Sequence, residues 1–140
     1  MARRAAPRHT GAMKTVYLVE DAPLVRERLL ELLGGLPDTK VLGISARADE
    51  AIREILADRP DAVVVDLHLA QGSGFDVLRA VRSAALGIAV FVLTSFAADP
   101  TRRVAERLGA SGFFDKATEF ERVREAVAAC TPLGLDRRIA

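Results

Sequence analysis

The chain has 140 residues, half of them hydrophobic, and a formal net charge of +1. That length suits one domain with a real core, and the near-neutral balance excludes the strong field of a nucleic-acid or membrane-surface binder. Cys130 is the only cysteine, which excludes an internal disulfide and points to the cytoplasm. The start of the chain carries Arg3, Arg4, Arg8 and Lys14 without an acid, and it lacks the apolar run of a secretory leader. Residues 1–13 are expected to be a disordered basic tail or an expression remnant, with Met13 an alternative start. The longest uncharged stretch, Ser83 to Ala98, is too short for a membrane span and contains Gly87, Thr94 and Ser95.

Strand and helix patterns then alternate five times. TVYLVED reads as a first strand, followed by a helix near Pro23–Leu33 with Pro in its first turn. Val25, Leu29, Leu32 and Leu33 share one face of that helix, and Gly34-Gly35 stops it. KVLGIS is the second strand. Asp49 or a neighbour caps a helix with Ala51, Ile52, Ile55 and Leu56 inward, halted before Pro60. AVVVD is an unbroken apolar run, as expected of a central parallel strand covered on both faces. AQGSG reads as a loop, and Phe75–Arg82 as a helix with Phe75, Leu78 and Val81 toward the sheet. IAVFVLT is the fourth strand, and Asp99-Pro100 pairs a cap with Pro at N1 to open a helix ending at Gly109. GFFDK is the fifth strand, and Thr118 with Glu121 forms a capping box for the last helix.

Five such units predict an α/β fold: a doubly wound, five-stranded parallel sheet in the flavodoxin-like order 2-1-3-4-5. One domain over residues 14–130 is expected, with 131–140 a C-terminal tail. In an open parallel sheet the carboxyl ends of the strands share one edge, and ligands bind there. Glu20 and Asp21 end the first strand, Asp66 the third, Thr94 the fourth and Lys116 the fifth. An Asp closing a strand often serves only as a loop cap, and Thr94 or Lys116 alone would be ordinary. Three carboxylates converging on one pocket, however, repel one another unless a cation neutralises them. Clustered carboxylates suit Mg2+, and a hydroxyl and an ammonium suit the oxygens of a phosphoryl group.

The pieces LVED, VVVDLHLAQGSGFDVL, FVLTS and GASGFFDK, in this order and spacing, resemble the receiver domains of two-component response regulators, the CheY-like superfamily. The resemblance implies that Asp66 is the phosphoacceptor, with Glu20 and Asp21 the acidic pair for Mg2+. It implies further that Thr94 is the switch hydroxyl, Lys116 the phosphate-binding lysine and Phe113 the aromatic switch position. The His68 backbone carbonyl would join Asp21, Asp66 and Glu20 around the metal, and Gly74 matches the glycine before the third helix. Glu20 stands where many receivers have Asp, and Ala117 stands where many have a cis proline, so a trans bond is expected there.

By the same resemblance, phosphate comes from a histidine kinase or phosphotransfer protein. Lys116 and the Ser95 amide hold its oxygens, Thr94 is drawn inward, and Phe113 rotates into the space it leaves. Output is expected through the fourth helix (Pro100–Leu108), the fifth strand and the fifth helix (Glu119–Ala129), by partner binding or a homodimer. Arg122, Arg124, Glu121 and Glu125 lie outside the stripe Phe120, Val123 and Val127. No direct nucleic-acid or membrane contact and no enzymatic activity beyond the chain's own phosphorylation and dephosphorylation are expected. Two alternatives remain: the receiver portion of a longer DNA-binding regulator, and a Mg2+-dependent phosphatase of the haloacid-dehalogenase type. The latter normally carries a second Asp two residues after its nucleophile, where this chain has His68.

Overall fold

The structure, a computed structural model, describes residues 13–132. The tails expected at residues 1–13 and 131–140 lie outside the described residues, apart from Met13, Thr131 and Pro132. In chain order the elements are β1 (Lys14–Val19), α1 (Pro23–Gly34), β2 (Thr39–Ser45), α2 (Ala48–Asp58) and β3 (Ala62–Val65). Then follow α3 (Gly74–Ala84), β4 (Ala89–Thr94), α4 (Asp99–Arg107), β5 (Gly112–Asp115) and α5 (Arg122–Ala129). All strands are parallel, in the order β2-β1-β3-β4-β5 that the sequence predicts. No helix among the described residues is long and apolar enough to cross a membrane.

Successive side chains alternate across a strand, so the unbroken apolar runs divide into two cores. Val16 and Leu18 of β1, Val64 of β3, and Phe91 and Leu93 of β4 meet Leu29 and Leu33 of α1 and Val123 and Val127 of α5. Tyr17, Val19, Val63, Val65, Val90 and Val92 point the other way, onto Ala51 and Ile55 of α2, Val77, Leu78 and Val81 of α3, and Ala105 of α4. Tyr17 also ties β1 to α2, its hydroxyl donating to Glu54 Oε1 at 2.5 Å. Burial, and then that bond to a carboxylate, push the phenol far above its usual range.

The register places the polar residues. Val19 pairs with Val65 and Val65 with Val92, so β1, β3 and β4 finish almost level. Just beyond the strands, the Asp66 N–H donates to the Val19 carbonyl at 3.0 Å and the Glu20 N–H to the Ser45 carbonyl at 2.9 Å. The Lys116 N–H donates to the Thr94 carbonyl at 3.0 Å. Ladder hydrogen bonds therefore run one residue past the strands and pin Glu20, Asp66 and Lys116 at a single edge.

Element ends depart from the sequence reading where tertiary contacts take over. Asp49 does not cap α2; it lies inside the first turn, and the Ala48 N–H is taken by the Gln71 carbonyl at 2.9 Å. Asp99 is itself the first residue of α4, with Ala98 at the cap, and the helix ends at Arg107 before Gly109 turns at φ +98. The Thr118–Glu121 box does not form, and α5 begins at Arg122 without a side-chain cap. Glu119 organises that turn instead, accepting from the Asp115 N–H at 3.0 Å and pairing with Arg122 at 2.9 Å. Gly34 and Gly35 do end α1, but with Gly35 in right-handed geometry. On α3, Val77 is buried and Phe75 only half-buried, and Ser73 with Asp76 supplies a capping box inside the AQGSG region.

Gly74 begins α3 against the end of β3, its N–H donating to the Leu67 carbonyl at 3.0 Å. A Cβ there would stand 2.3 Å from the Asp66 carbonyl oxygen and 2.9 Å from Leu67 Cα. Both obstacles are backbone, so only glycine admits this approach. Gly74→Ala is expected to destabilise the domain by about 2 kcal/mol or more, read as a lowered urea midpoint.

Candidate functional site

Asp66 closes the central strand and is 6% exposed, and Glu20, across β1, is 1% exposed. Carboxylate oxygens of Glu20, Asp21 and Asp66 all lie within 4.8 Å of one another. Lys116 reaches in from the end of β5, its Nζ 2.8 Å from Asp66 Oδ2 and 3.0 Å from Glu20 Oε1. The four side chains come from three strand ends, brought together by the register described above.

Burial is the largest influence on Glu20 and pushes its carboxyl above the usual range. The Ala22 N–H, at 3.1 Å, and Lys116 pull it only part of the way back. Burial alone would lower the Lys116 ammonium, but its hydrogen bonds to Asp66 and Glu20 outweigh that and raise it. Lys116 therefore stays charged, opposed by three carboxylates. One positive against three negative charges leaves a formal excess of two negatives, which one divalent cation would neutralise. The donors are all hard oxygens, which fits Mg2+.

Thr94 is fully buried, and its Oγ1 accepts from the Phe96 N–H at 3.2 Å. Ser95, the next residue, is exposed. The His68 N–H donates to Asp66 Oδ1 at 3.4 Å, and its exposed ring stacks on Phe96 with centroids 3.8 Å apart. Phe96 is 53% exposed and was not singled out by the sequence reading; its only signal is a large aromatic among small and polar neighbours. No peptide bond among the described residues is cis, so Lys116–Ala117 is trans as expected.

Phe113, which the resemblance makes the aromatic switch position, is 5% exposed. Phenylalanine has no hydroxyl to hold it toward water, so burial of its ring is favoured from the start. Arg102 of α4 covers it, with the guanidinium 4.7 Å from the ring centroid and Nη1 donating to the Phe113 carbonyl at 3.4 Å. Arg124 lies outside the apolar stripe of α5 with Arg122, as expected, and donates to the Gly35 carbonyl at the end of α1 at 3.2 Å. It lines a cavity of about 310 Å3 with Arg28, Leu32 and Phe120, on the α1 side of α5.

A family profile described as the response regulator receiver domain matches residues 16–128. The chain is 35% identical over 131 residues to the DNA-binding transcriptional activator DevR/DosR of Mycobacterium tuberculosis, covering 91% of this chain and 60% of that protein. It is 32% identical over 104 residues to a protein-glutamate methylesterase/protein-glutamine glutaminase of Geobacter sulfurreducens, covering 74% of this chain and 28% of that one. The chain thus spans less than two thirds of the length of these relatives. Among solved structures, the signal receiver domain of the response regulator NarL from Mycobacterium tuberculosis superposes with a TM-score of 0.74 at 25% identity, covering 84% of this chain and 92% of that chain.

The ion cluster has a measurable signature. Lys116→Met leaves Glu20 and Asp66 buried and unpaired, so a loss of about 3 kcal/mol is expected near neutral pH. Protonating Glu20 removes the repulsion, and a carboxyl raised on folding binds its proton more readily in the native state. The deficit should therefore shrink as pH falls toward the carboxylate range, and shrink at neutral pH when Mg2+ is added. Urea unfolding of both proteins across pH checks this; a deficit independent of both pH and Mg2+ would mean that Lys116 contributes packing alone.

Proposed function

We propose a function from one premise: the chain belongs to the response regulator receiver domain family. As the receiver domain of a two-component response regulator, it accepts a phosphoryl group on Asp66 from a histidine kinase or phosphotransfer protein. One observation carries the assignment of the acceptor: the Asp66 carboxylate is held at the end of the central strand, within 4.8 Å of two other carboxylates and 2.8 Å from an ammonium.

The chemistry asks for little beyond position and charge. An Asp66 oxygen forms the new O–P bond as the P–N bond to the donor imidazole breaks, and the donor ring leaves with the electron pair. Lys116 exchanges its Asp66 contact for a phosphoryl oxygen while Glu20 keeps it anchored. The Ser95 amide receives another oxygen, and the Thr94 hydroxyl turns to donate to the new anion. Receiver domains generally bind Mg2+ in such an acidic pocket. Here Asp21, Asp66, Glu20 and the His68 carbonyl would hold it, and when bound it supplies the positive charge that three carboxylates and an incoming anion require. The chain catalyses only its own phosphorylation and dephosphorylation, in the cytoplasm.

The haloacid-dehalogenase alternative gives way to family membership, and in its second-Asp position His68 turns its ring to Phe96. A longer DNA-binding regulator is the second reading, supported by a DNA-binding activator as relative and by the 60% of that protein the chain covers. In either case the signal leaves through α4, β5 and α5, by partner binding or a homodimer, with Arg122 as an exposed cation.

Incubation with acetyl phosphate and Mg2+ should add one phosphoryl group by mass spectrometry. Asp66→Asn should add none, and excess EDTA should suppress the reaction in the native chain. Asp21→Asn should lose both Mg2+ binding and modification. Full labelling of the Asp66 variant would sink the acceptor assignment. Separately, Arg122→Glu should weaken phosphorylation-dependent self-association in sedimentation without altering Asp66 modification. Arg124→Glu should act on stability instead, because its partner is the α1 terminus.

A further inference from the structure

Any receiver needs a part that changes shape when Asp66 is modified, and in this chain Phe113 is a poor candidate. Its ring is already enclosed and is clamped from outside by Arg102 at both the ring face and the backbone carbonyl. The other aromatic near the site is Phe96, half in solvent and tilted 54° onto the His68 ring. The stack joins the loop leaving β3 to the loop leaving β4, across the mouth of the pocket.

Both rings are wired to the groups that phosphorylation alters. The His68 backbone N–H donates to Asp66 Oδ1, and the Phe96 backbone N–H donates to Thr94 Oγ1. We infer that the His68–Phe96 stack is the moving element of this chain, and that the pair positions the Thr94 hydroxyl in the unmodified state. The inference rests on the phosphoacceptor assignment proposed above.

Phosphorylating Asp66 turns one carboxylate oxygen into the bridging oxygen of an acyl phosphate and adds bulk and negative charge to the pocket that the His68 and Phe96 amides border. The new anion also offers acceptors to the Thr94 hydroxyl. Threonine is branched at Cβ, so its side chain turns between discrete rotamers and does not drift. A turn toward the phosphoryl oxygens carries Oγ1 away from the Phe96 N–H, which then loses its acceptor. The restraint on the Phe96 backbone is thus lost, and what holds Phe96 to His68 is then a solvent-exposed ring contact of the weak kind that aromatic pairs make. Coupling is reciprocal. While the stack is intact it holds the Phe96 amide beside Thr94, so it opposes the hydroxyl's turn and raises the threshold for switching.

Aromatic and amide NMR on the full chain tests this, with Mg2+ and acetyl phosphate, all spectra being taken at one fixed pH. In the unmodified protein the Phe96 ring should shift the His68 ring protons upfield. On modification of Asp66 these protons should move downfield toward their free position, the Phe96 amide should shift, and the Phe113 ring protons should stay in place. Phe96→Ala should move the Thr94 to Ala98 amides of the unmodified chain toward their modified positions, and Phe96→Tyr should restore them. If Asp66 carries phosphate while His68 and Phe96 are unchanged, or if Phe113 moves in their stead, the inference is overturned and the acceptor assignment stands. If mass spectrometry finds no phosphate on Asp66 of the native chain, the assignment fails and the inference falls with it.

Discussion

Everything at the functional edge depends on one electrostatic imbalance. Lys116 is bonded to Asp66 and Glu20 at 2.8 and 3.0 Å, and Asp21 adds a third carboxylate within reach of the same point. A hydrophobic sheet has brought these groups out of water, where like charges repel strongly and unpaired ones are costly. The single ammonium relieves part of the strain and leaves room for a divalent cation. That residual negative charge is what a divalent cation would neutralise in the proposed function.

The surrounding fold serves to hold the imbalance in place. Ladder hydrogen bonds past the strand ends fix the backbones of Glu20, Asp66 and Lys116, so the charged side chains have little freedom to escape. α3 is drawn against the Asp66 backbone through Gly74, and the loop before it also supplies the Gln71 carbonyl that caps α2. The two faces of the sheet have different duties. The α1–α5 side is a closed core tied across by Arg124 and Gly35, with the Arg28 guanidinium 3.9 Å from the Phe120 ring centroid. The other side carries Phe113, Arg102 and α4, which lie next to the loop of Thr94 and Phe96.

Much of this was legible from residue order. Alternating apolar runs and helical stripes, with Pro23, Pro60 and Pro100 as punctuation, set the number, type and sequence of elements. Strand-end positions alone drew attention to Glu20, Asp21, Asp66, Thr94 and Lys116. Less legible were helix starts that depend on distant backbone, as at Ala48, or on a side chain that prefers another partner, as with Glu119. Such choices are settled by hydrogen-bond competition between segments far apart in sequence, which no local pattern records.

By itself the sequence determined the parallel α/β architecture and the chemical inventory of the pocket, because hydrophobic periodicity and strand termini are local properties. Tertiary structure alone decided how that inventory is wired. It gave Lys116 two buried partners, buried the Phe113 ring, tied Arg124 to the end of α1, and set Phe96 on His68 with their backbone amides on Thr94 and Asp66. These are matters of which side chain fills which space once the sheet has formed, and space is shared among segments that meet only in three dimensions.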